Sequence, residues 1–204
     1  VDGTPLLFDP GEGYSYSNTN YVLLSLVIEA ATGQGWADEV EQRLLDPLAL
    51  DETRIPEDAW GDIVTGYLDG ADMREDAHPT SSGAAGSMVS NAADIARWGE
   101  ACFGGEVLAP AEAAARVEDS IVLVEDVYSY GLGVMVLTLD HGTEWGHTGG
   151  SAGYSAWVGH LPDRGATIAV LGNTWPPHPD APGSYDWDWT FSAAQSLWDE
   201  VWAE

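Results

Sequence analysis

The sequence contains no lysine, and its six arginines are outnumbered by 34 aspartates and glutamates, which gives a net charge of −28. Because a chain this acidic repels phosphate groups, nucleic acid is excluded as a partner. The charge lies far outside the magnitude of about 2–8 that suits a small soluble domain. Self-repulsion on this scale destabilises a compact state unless concentrated salt screens it, so we expect the protein of a halophilic host.

Cysteine and long apolar runs are also scarce. The single cysteine, Cys102, cannot form an internal disulfide and is expected to be a small buried side chain. No run of about 18 apolar residues is present, which excludes a membrane-spanning helix. The first residues carry neither the positive charge nor the apolar segment of a signal peptide, so we expect a mid-domain loop with the natural start upstream.

The groupings typical of metal and cofactor sites are missing from the sequence. No two of its five histidines are four residues apart, and one cysteine cannot form a Cys-x-x-Cys pair. No glycine-rich phosphate loop follows a predicted strand. We therefore predict neither a metal nor a cofactor.

Apolar residues recur at helical spacing in the first half of the chain. We predict helices at about 19–32, 36–45, 92–103 and 111–117. Asn18 and Gly33 suit the two ends of the first helix, and Pro47 is expected to end the second. Ser90 or Asn91 suits the start of the third helix. The first helix is apolar around most of its circumference, which predicts that it is buried.

After Tyr128 the helical spacing of apolar residues ends and strand-like segments follow. Apolar segments separated by short turns predict strands at 132–139, 154–161 and 166–171. An amphipathic helix is predicted at 190–203. Short connections favour antiparallel neighbours, so the whole chain is expected to be one α+β domain. It would have a mainly helical region at 18–125, followed at 126–204 by a three-stranded antiparallel meander and a C-terminal helix.

Two segments carry the chemistry of the sequence. Residues 13–21 read GYSYSNTNY, at the start of the first helix, and residues 145–154 read WGHTGGSAGY, at the start of a strand. They resemble the Tyr-x-Asn and Lys/His-Thr-Gly motifs of the serine β-lactamase superfamily, which includes class C β-lactamases, D-Ala-D-Ala carboxypeptidases, related esterases and D-aminopeptidases. The flanking segments at 82–90 and 130–133 also resemble the family, so the likeness extends over residues 10–173.

The resemblance implies a β-lactamase/transpeptidase-like fold, in which an antiparallel sheet flanked by helices joins a helical region and the active site lies between them. It also implies a Ser-x-x-Lys motif well before Tyr16, yet only 15 residues precede Tyr16 and a chain without lysine cannot contain this motif. The N-terminal portion of the fold is therefore expected to be incomplete. The chain is interpreted as a fragment that is inactive alone, as the partner of a second chain that supplies the missing segment, or as a relic without activity.

The resemblance assigns five residues to the reaction. Tyr16 is the general base, because a serine hydroxyl is a poor nucleophile until a base takes its proton. An unperturbed tyrosine has a pKa near 10, so the family's lysine must stabilise the phenolate. Asn18 presents its amide to the substrate. His147 binds a substrate carboxylate when protonated or relays a proton when neutral, and Thr148 offers a hydroxyl beside it. The N–H of Gly150 is one oxyanion donor.

By resemblance to the family, histidine in the Lys/His-Thr-Gly motif favours a peptidase or an esterase over a dedicated β-lactamase, so the expected substrate is a small molecule or a peptide with an amide or ester bond. By resemblance to the family, an extracytoplasmic location is favoured.

A second enzyme class is also compatible with the sequence. Residues 149–153 match Gly-x-Ser-x-Gly, the nucleophile elbow of α/β-hydrolases, which makes Ser151 a candidate nucleophile, with Asp163 and His178 following in triad order. The elbow needs a helix after the serine. The residues that follow are strand-like, which argues against this interpretation.

A non-catalytic module is the third interpretation. A penicillin-recognising fold could be retained for binding, and a tryptophan-rich tail could form a platform for sugar or peptidoglycan. Helical spacing instead favours packing on the sheet for two of these tryptophans, Trp198 and Trp202. The tail contains Trp175, Trp187, Trp189, Trp198 and Trp202.

Overall fold

A computed structural model of the chain describes residues 5–56, 61–75, 78–118, 120–151, 153–178, 180–181, 184–186 and 188–202. The helices are α1 (Asn18–Thr32), α2 (Trp36–Val40), α3 (Asp46–Leu48), α4 (Ala92–Phe103), α5 (Pro110–Glu118) and α6 (Trp189–Trp202). The strands are β1 (Tyr67–Leu68), β2 (Ala71–Asp72), β3 (Ile121–Val124), β4 (Tyr128–Tyr130), β5 (Met135–Leu139), β6 (Gly142–Ser151), β7 (Tyr154–Leu161), β8 (Ala166–Gly172) and β9 (Thr174–Trp175). The α+β class is confirmed.

The main sheet is a six-stranded antiparallel meander in the order β3-β4-β5-β6-β7-β8. The prediction of three strands was wrong. Strands β3 and β4 are short, and Asp126 between them takes a positive φ of 59° that favours a tight turn. Strand β6 was missed as a full strand because glycines interrupt its apolar pattern.

Two helices cover opposite faces of the sheet. Helix α6 packs on β7 and β8 over a core of Leu137, Trp157 and Ala194. Helix α4 packs on the same two strands from the other side. At Gly99 of α4 a side chain would overlap Val158 and Thr167, so a glycine is needed for this close approach. The predicted cap of α4 is confirmed, because the Asn91 side chain accepts a hydrogen bond from the Asp94 N–H.

Helix α2 does not end before Pro47. It continues through a π-helical turn at Glu41–Leu45 into α3, which contains Pro47 in its first turn. Within this continuous helical stretch Pro47 cannot donate a backbone hydrogen bond to the preceding turn, and the π-helical turn lies directly before it. The segment ends at Ala49, which has a left-handed φ of 52°.

Helix α1 differs from its prediction in its burial. Its apolar side chains are largely exposed, including Leu24 at 54% and Val27 at 61%, and only Ser25 is buried. Among the described residues its main neighbours are α2 and a 3₁₀ turn at Gly83–Ala85. The apolar sequence of α1 predicts that other residues bury it, but the described part of the chain leaves most of its apolar side chains exposed. Of the helices the structure describes, none combines the length and apolar character needed to cross a bilayer.

Exposed apolar residues on α1 are expected to promote self-association. Replacing Leu24 and Val27 together with glutamine should reduce the self-associated fraction and change the free energy of unfolding by less than about 1 kcal/mol, because both side chains already contact water. Analytical ultracentrifugation and chemical unfolding in high salt measure the two quantities. As a control, Leu48→Ala in the buried cluster should cost about 2–5 kcal/mol. Destabilisation of similar size in both variants would contradict the exposure of α1.

Candidate active site

The tyrosine of the first motif and the histidine of the second lie side by side. The Tyr16 ring centroid is 6.1 Å from that of His147 and 6.1 Å from that of Tyr130. Tyr16 belongs to the loop that leads into α1, and His147 lies in β6. The loop and strand are separated by more than a hundred residues of chain and meet where α1 approaches the turn between β4 and β5.

The second motif lies on a stretch of strand that is paired on one side only. Strand β6 pairs with β5 through residues 142–146, whereas its pairing with β7 continues to Ser151. His147, Thr148 and Gly150 therefore lie beyond the last pair with β5. Gly150 is exposed there, opposite Ser155 of β7. In the described strand pairing, this segment therefore has a partner strand on the β7 side and none from β5 on the other.

Both ring nitrogens of His147 have hydrogen-bond partners. Its Nδ1 lies 2.5 Å from the carbonyl oxygen of Thr148, and its Nε2 lies 2.8 Å from the hydroxyl of Tyr130. Burial lowers the pKa of His147, and the hydrogen bond to the Thr148 carbonyl opposes this shift in part. The imidazole is therefore favoured in its neutral form.

Several tyrosines lie around His147: Tyr16 and Tyr130 are in ring contact with it, and Tyr14 and Tyr21 contact Tyr130. The hydroxyls of Tyr21 and Tyr130 are 2.9 Å apart, and the Tyr14 ring lies 5.4 Å from that of Tyr130. Burial, reinforced by Tyr128 and Tyr21, raises the pKa of Tyr14 to about 12. Burial also raises the pKa of Tyr130. Tyr14 and Tyr130 are therefore protonated at neutral pH.

Tyr16 shares this behaviour. Burial, followed by repulsion from Tyr21 and Tyr128, raises its pKa above the ordinary value for tyrosine. A raised pKa makes the phenol a weaker candidate for the deprotonated base at neutral pH. A cation within about 4–6 Å reverses such a shift. The six arginines of the chain are engaged elsewhere, with Glu39, Asp62, Asp72, Glu106, Cys102 and Trp202.

Asn18 and Thr148 are the polar neighbours of Tyr16 and His147 in the two motifs. Asn18 is the exposed first residue of α1, and the N-cap position is held by Ser17, so the prediction of an Asn18 cap was wrong. An exposed Asn18 amide is accessible to a ligand. The Thr148 hydroxyl lies 4.0 Å from the sulfur of Met135, so it contacts a thioether rather than the imidazole.

Tyr130 and Tyr21 were not predicted as site residues. In the sequence, residues 130–133 are only a flank that resembles the family, and Tyr21 is only the last residue of the 13–21 segment. The sequence does contain a signal, because Tyr128 and Tyr130 alternate on a strand that ends at a glycine turn. That alternation does not reveal which hydroxyl reaches His147.

The backbone around Ser151 excludes the nucleophile elbow. Ser151 ends β6, and strand β7 begins at Tyr154, where an α/β-hydrolase needs a helix. Gly153, with a φ of 82°, forms the reversal between the two antiparallel strands. The alternation of strands and helices that this class requires is also absent from the element order of the described residues.

The described tryptophans of the C-terminal region contact other residues of the chain. Trp198 is buried, and the N–H groups of Trp175 and Trp189 donate to the carbonyl oxygens of Tyr154 and Thr174. Trp202 is 40% exposed and stacks under Arg164. Trp187 lies outside the described residues. A flat aromatic platform is therefore not present among the described side chains.

A concavity of about 610 Å³ lies away from the tyrosines, beside α2, and includes Trp36, Thr53 and Ser87. None of Tyr16, Tyr130 and His147 lines it, so the candidate site rests on chemistry rather than on cavity size. In the described ranges no group of three or more histidine, cysteine or acidic side chains could hold a metal ion.

The chain is similar to known proteins over most of its length. Residues 1–190 match the family model described as Beta-lactamase. Penicillin-binding protein 4 of Amycolatopsis lactamdurans is 31% identical over 185 residues, which cover 80% of this chain and 48% of that protein. Penicillin-binding protein 4* of Bacillus subtilis (strain 168) is 26% identical over 190 residues, which cover 84% of this chain and 42% of that protein.

Solved structures have the same fold. The crystal structure of a D-stereospecific amidohydrolase from Streptomyces sp. is similar with a TM-score of 0.73 and 31% sequence identity, over 81% of this chain and 52% of that one. The chain thus spans about half the length of the relatives it matches.

Proposed function

The chain belongs to the beta-lactamase family, and we propose that it carries the base and oxyanion side of a serine hydrolase active site whose Ser-x-x-Lys nucleophile is not in this sequence. The observation that carries the proposal is the 6.1 Å approach of the Tyr16 and His147 rings, because these residues lie in the two family motifs that the chain contains. The proposed reaction is acyl transfer from an amide or an ester through a covalent acyl-enzyme.

In this reaction Tyr16 takes the proton of the serine hydroxyl as the serine attacks the substrate carbonyl. The raised pKa of Tyr16 means that the phenol needs a nearby cation before it can act as a base at neutral pH. The family's motif lysine has the right charge, and this chain has none. Tyr16 is therefore expected to be inactive in the chain alone and active when the lysine is supplied.

The remaining roles follow from position. The exposed Gly150 lies on the part of β6 that β5 leaves uncovered, where its N–H could donate to a developing oxyanion. Asn18 is exposed close to Tyr16 and could orient the substrate. The relatives include penicillin-binding proteins and a D-stereospecific amidohydrolase, which supports a peptide or another small amide or ester as the substrate.

Covalent labelling tests the proposal. A fluorophosphonate or a labelled β-lactam should label the longer protein that contains this chain together with an upstream Ser-x-x-Lys segment, and it should not label the chain alone. In the longer protein, Tyr16→Phe should slow labelling by about 10²–10⁴-fold, because it removes the general base. Tyr185→Phe, at an exposed tyrosine of the C-terminal region, is the matched control and should leave the rate unchanged.

The outcomes separate the function classes. Labelling of Ser151 in the chain alone would support the α/β-hydrolase mechanism and overturn the proposal. If the longer protein binds the β-lactam without forming a covalent adduct, the chain belongs to a binding module.

A further inference from the structure

The hydrogen bonds of His147 fix where its protons lie. The Thr148 carbonyl oxygen can only accept, so the His147 Nδ1 that faces it at 2.5 Å must carry a hydrogen. In a neutral imidazole the other nitrogen, Nε2, is then an acceptor. The Tyr130 hydroxyl, 2.8 Å from Nε2, must therefore donate to it.

The same reasoning extends one residue further. Since the single hydroxyl hydrogen of Tyr130 points to His147, the Tyr130 oxygen is an acceptor toward Tyr21. The Tyr21 hydroxyl, 2.9 Å away, then donates to it. The result is a directed chain of hydrogen bonds from Tyr21 on α1, through Tyr130 on β4, to His147 on β6. Adjacent bonds in such a chain polarise and strengthen one another.

The surroundings of His147 favour its neutral form. The titratable side chains in ring contact with it are Tyr16 and Tyr130, with Tyr14 and Tyr21 behind Tyr130. In the chain alone, burial raises the pKa of Tyr14, Tyr16 and Tyr130, so these phenols are neutral at pH 7 and none of the three stabilises an imidazolium. Tyr130 itself is buried, which keeps water from competing for Nε2 on that side. A protonated His147 would therefore lack a compensating anion among these neighbours.

We propose that Tyr130 is a positioning residue that holds His147 neutral in its Nδ1–H form, so that this end of the site accepts an uncharged amide or ester group rather than a carboxylate. The statement about the substrate rests on the proposed function, whereas the statement about His147 does not. A protonated His147 would attract a carboxylate, and a neutral one with both nitrogens engaged provides no charge for it.

Nitrogen NMR of the histidine side chains tests the first part on the chain as it is. At pH 7, His147 should have a protonated Nδ1 and an unprotonated Nε2, with a titration midpoint below the ordinary histidine value of about 6.5. Tyr130→Phe removes the donor to the neutral form and should raise that midpoint by about one pH unit, a tenfold change in the protonation equilibrium. Tyr185→Phe should leave it unchanged.

His160 is the internal reference, because its Nδ1 bonds to Thr167 and not to a tyrosine. Its midpoint should be the same in all variants, whereas a general loss of structure would shift both histidines toward the ordinary value. An Nε2–H tautomer or a protonated His147 at pH 7 in the unmodified chain would overturn the proposal even if Tyr130→Phe does not fold. An unchanged His147 midpoint in a folded Tyr130→Phe chain would overturn it as well.

The substrate part is tested in the longer protein by comparing two substrates that differ only in one terminal group, an amide and a free carboxylate. The uncharged substrate should have a kcat/KM at least about tenfold higher, and Tyr130→Phe should reduce this ratio at pH 6 more than at pH 8. A preference for the carboxylate would overturn the substrate inference while leaving acyl transfer intact. Failure of covalent labelling would instead contradict the proposed function, and the His147 titration would still stand.

Discussion

Replacing Glu144 with alanine is expected to lower the free energy of unfolding by about 3–5 kcal/mol, because several buried donors lose their acceptor at a cost of about 1–3 kcal/mol each. Glu144 lies in β6 and is completely buried. Its Oε1 accepts from the indole N–H groups of Trp157 and Trp198, and its Oε2 accepts from the side-chain amide of Gln195. Alanine would leave three buried donors without an acceptor and a cavity beside them.

The same carboxylate connects the sheet to its covering helix. Trp198 and Gln195 belong to α6, whereas Trp157 belongs to β7. His141 Nε2 lies 3.5 Å from the Glu144 Oε2 and would pair with it when protonated. Loss of Glu144 is therefore expected to loosen α6 before the rest of the sheet, which hydrogen exchange of the α6 amides measures.

Glu144→Gln is the discriminating variant. Its carbonyl oxygen can keep both indole bonds, and its new amide would face the Gln195 amide. Gln195 has a buried Oε1 without a partner, so a flip of its side chain turns that oxygen toward the new donor. We therefore expect E144Q to cost about 1 kcal/mol, in the range of one ordinary hydrogen bond.

Chemical unfolding in concentrated salt measures both variants. Glu200→Ala, at an exposed position of the same helix, is the control and should change stability by less than about 0.5 kcal/mol. If Glu144→Ala lowers the free energy of unfolding by no more than the control does, the indole N–H groups are hydrogen-bonded to water instead. The Glu144 network would then not stabilise the packing of α6 on the sheet.

The second large effect is the response to salt. Raising KCl from about 0.1 M to about 2 M should raise the melting temperature by about 10 °C or more, because the Debye length falls from about 10 Å to about 3 Å and screens repulsion among like charges. Even if every arginine neutralises one of the 34 acidic groups, 28 negative charges remain. Four of the arginines do pair with a carboxylate.

A charge-reduced variant provides the control for salt. Amide replacements at four exposed acidic residues should raise the melting temperature in dilute buffer and flatten its dependence on KCl. Suitable positions are Asp51, Glu125, Asp163 and Glu200. An equal response to KCl in both proteins would show that the salt acts by another route than screening of the net charge.

Secondary structure was predictable where the local pattern was strong. The α4 helix and its Asn91 cap, and the bounds of β7, agree with the sequence-based expectations. Strands β3 and β4 were missed because four and three residues are too few to establish a period. For β6 the sequence predicts only the start of a strand, because four glycines in ten residues interrupt the alternation of apolar side chains.

The motif residues were predictable because their neighbours in sequence identify them. Tyr16 and His147 were selected from short segments, and the fold brings their rings together. Tyr130 was not selected, because its role depends on one hydroxyl reaching one ring nitrogen across the sheet. Glu144 was overlooked for the same reason, since its three donors come from β7 and α6.

The charge, the main helices and the antiparallel character of the sheet were predictable from composition and short-range periodicity, and the family was predictable from the resemblance of two short motifs, because all of these are properties of contiguous residues. The packing in three dimensions established that α1 exposes its apolar side and that the Tyr130 hydroxyl lies within hydrogen-bond distance of His147. It also decided that Glu144 accepts from two tryptophans. These features depend on which side chains meet through space, and the register that brings them together is set by packing far along the chain.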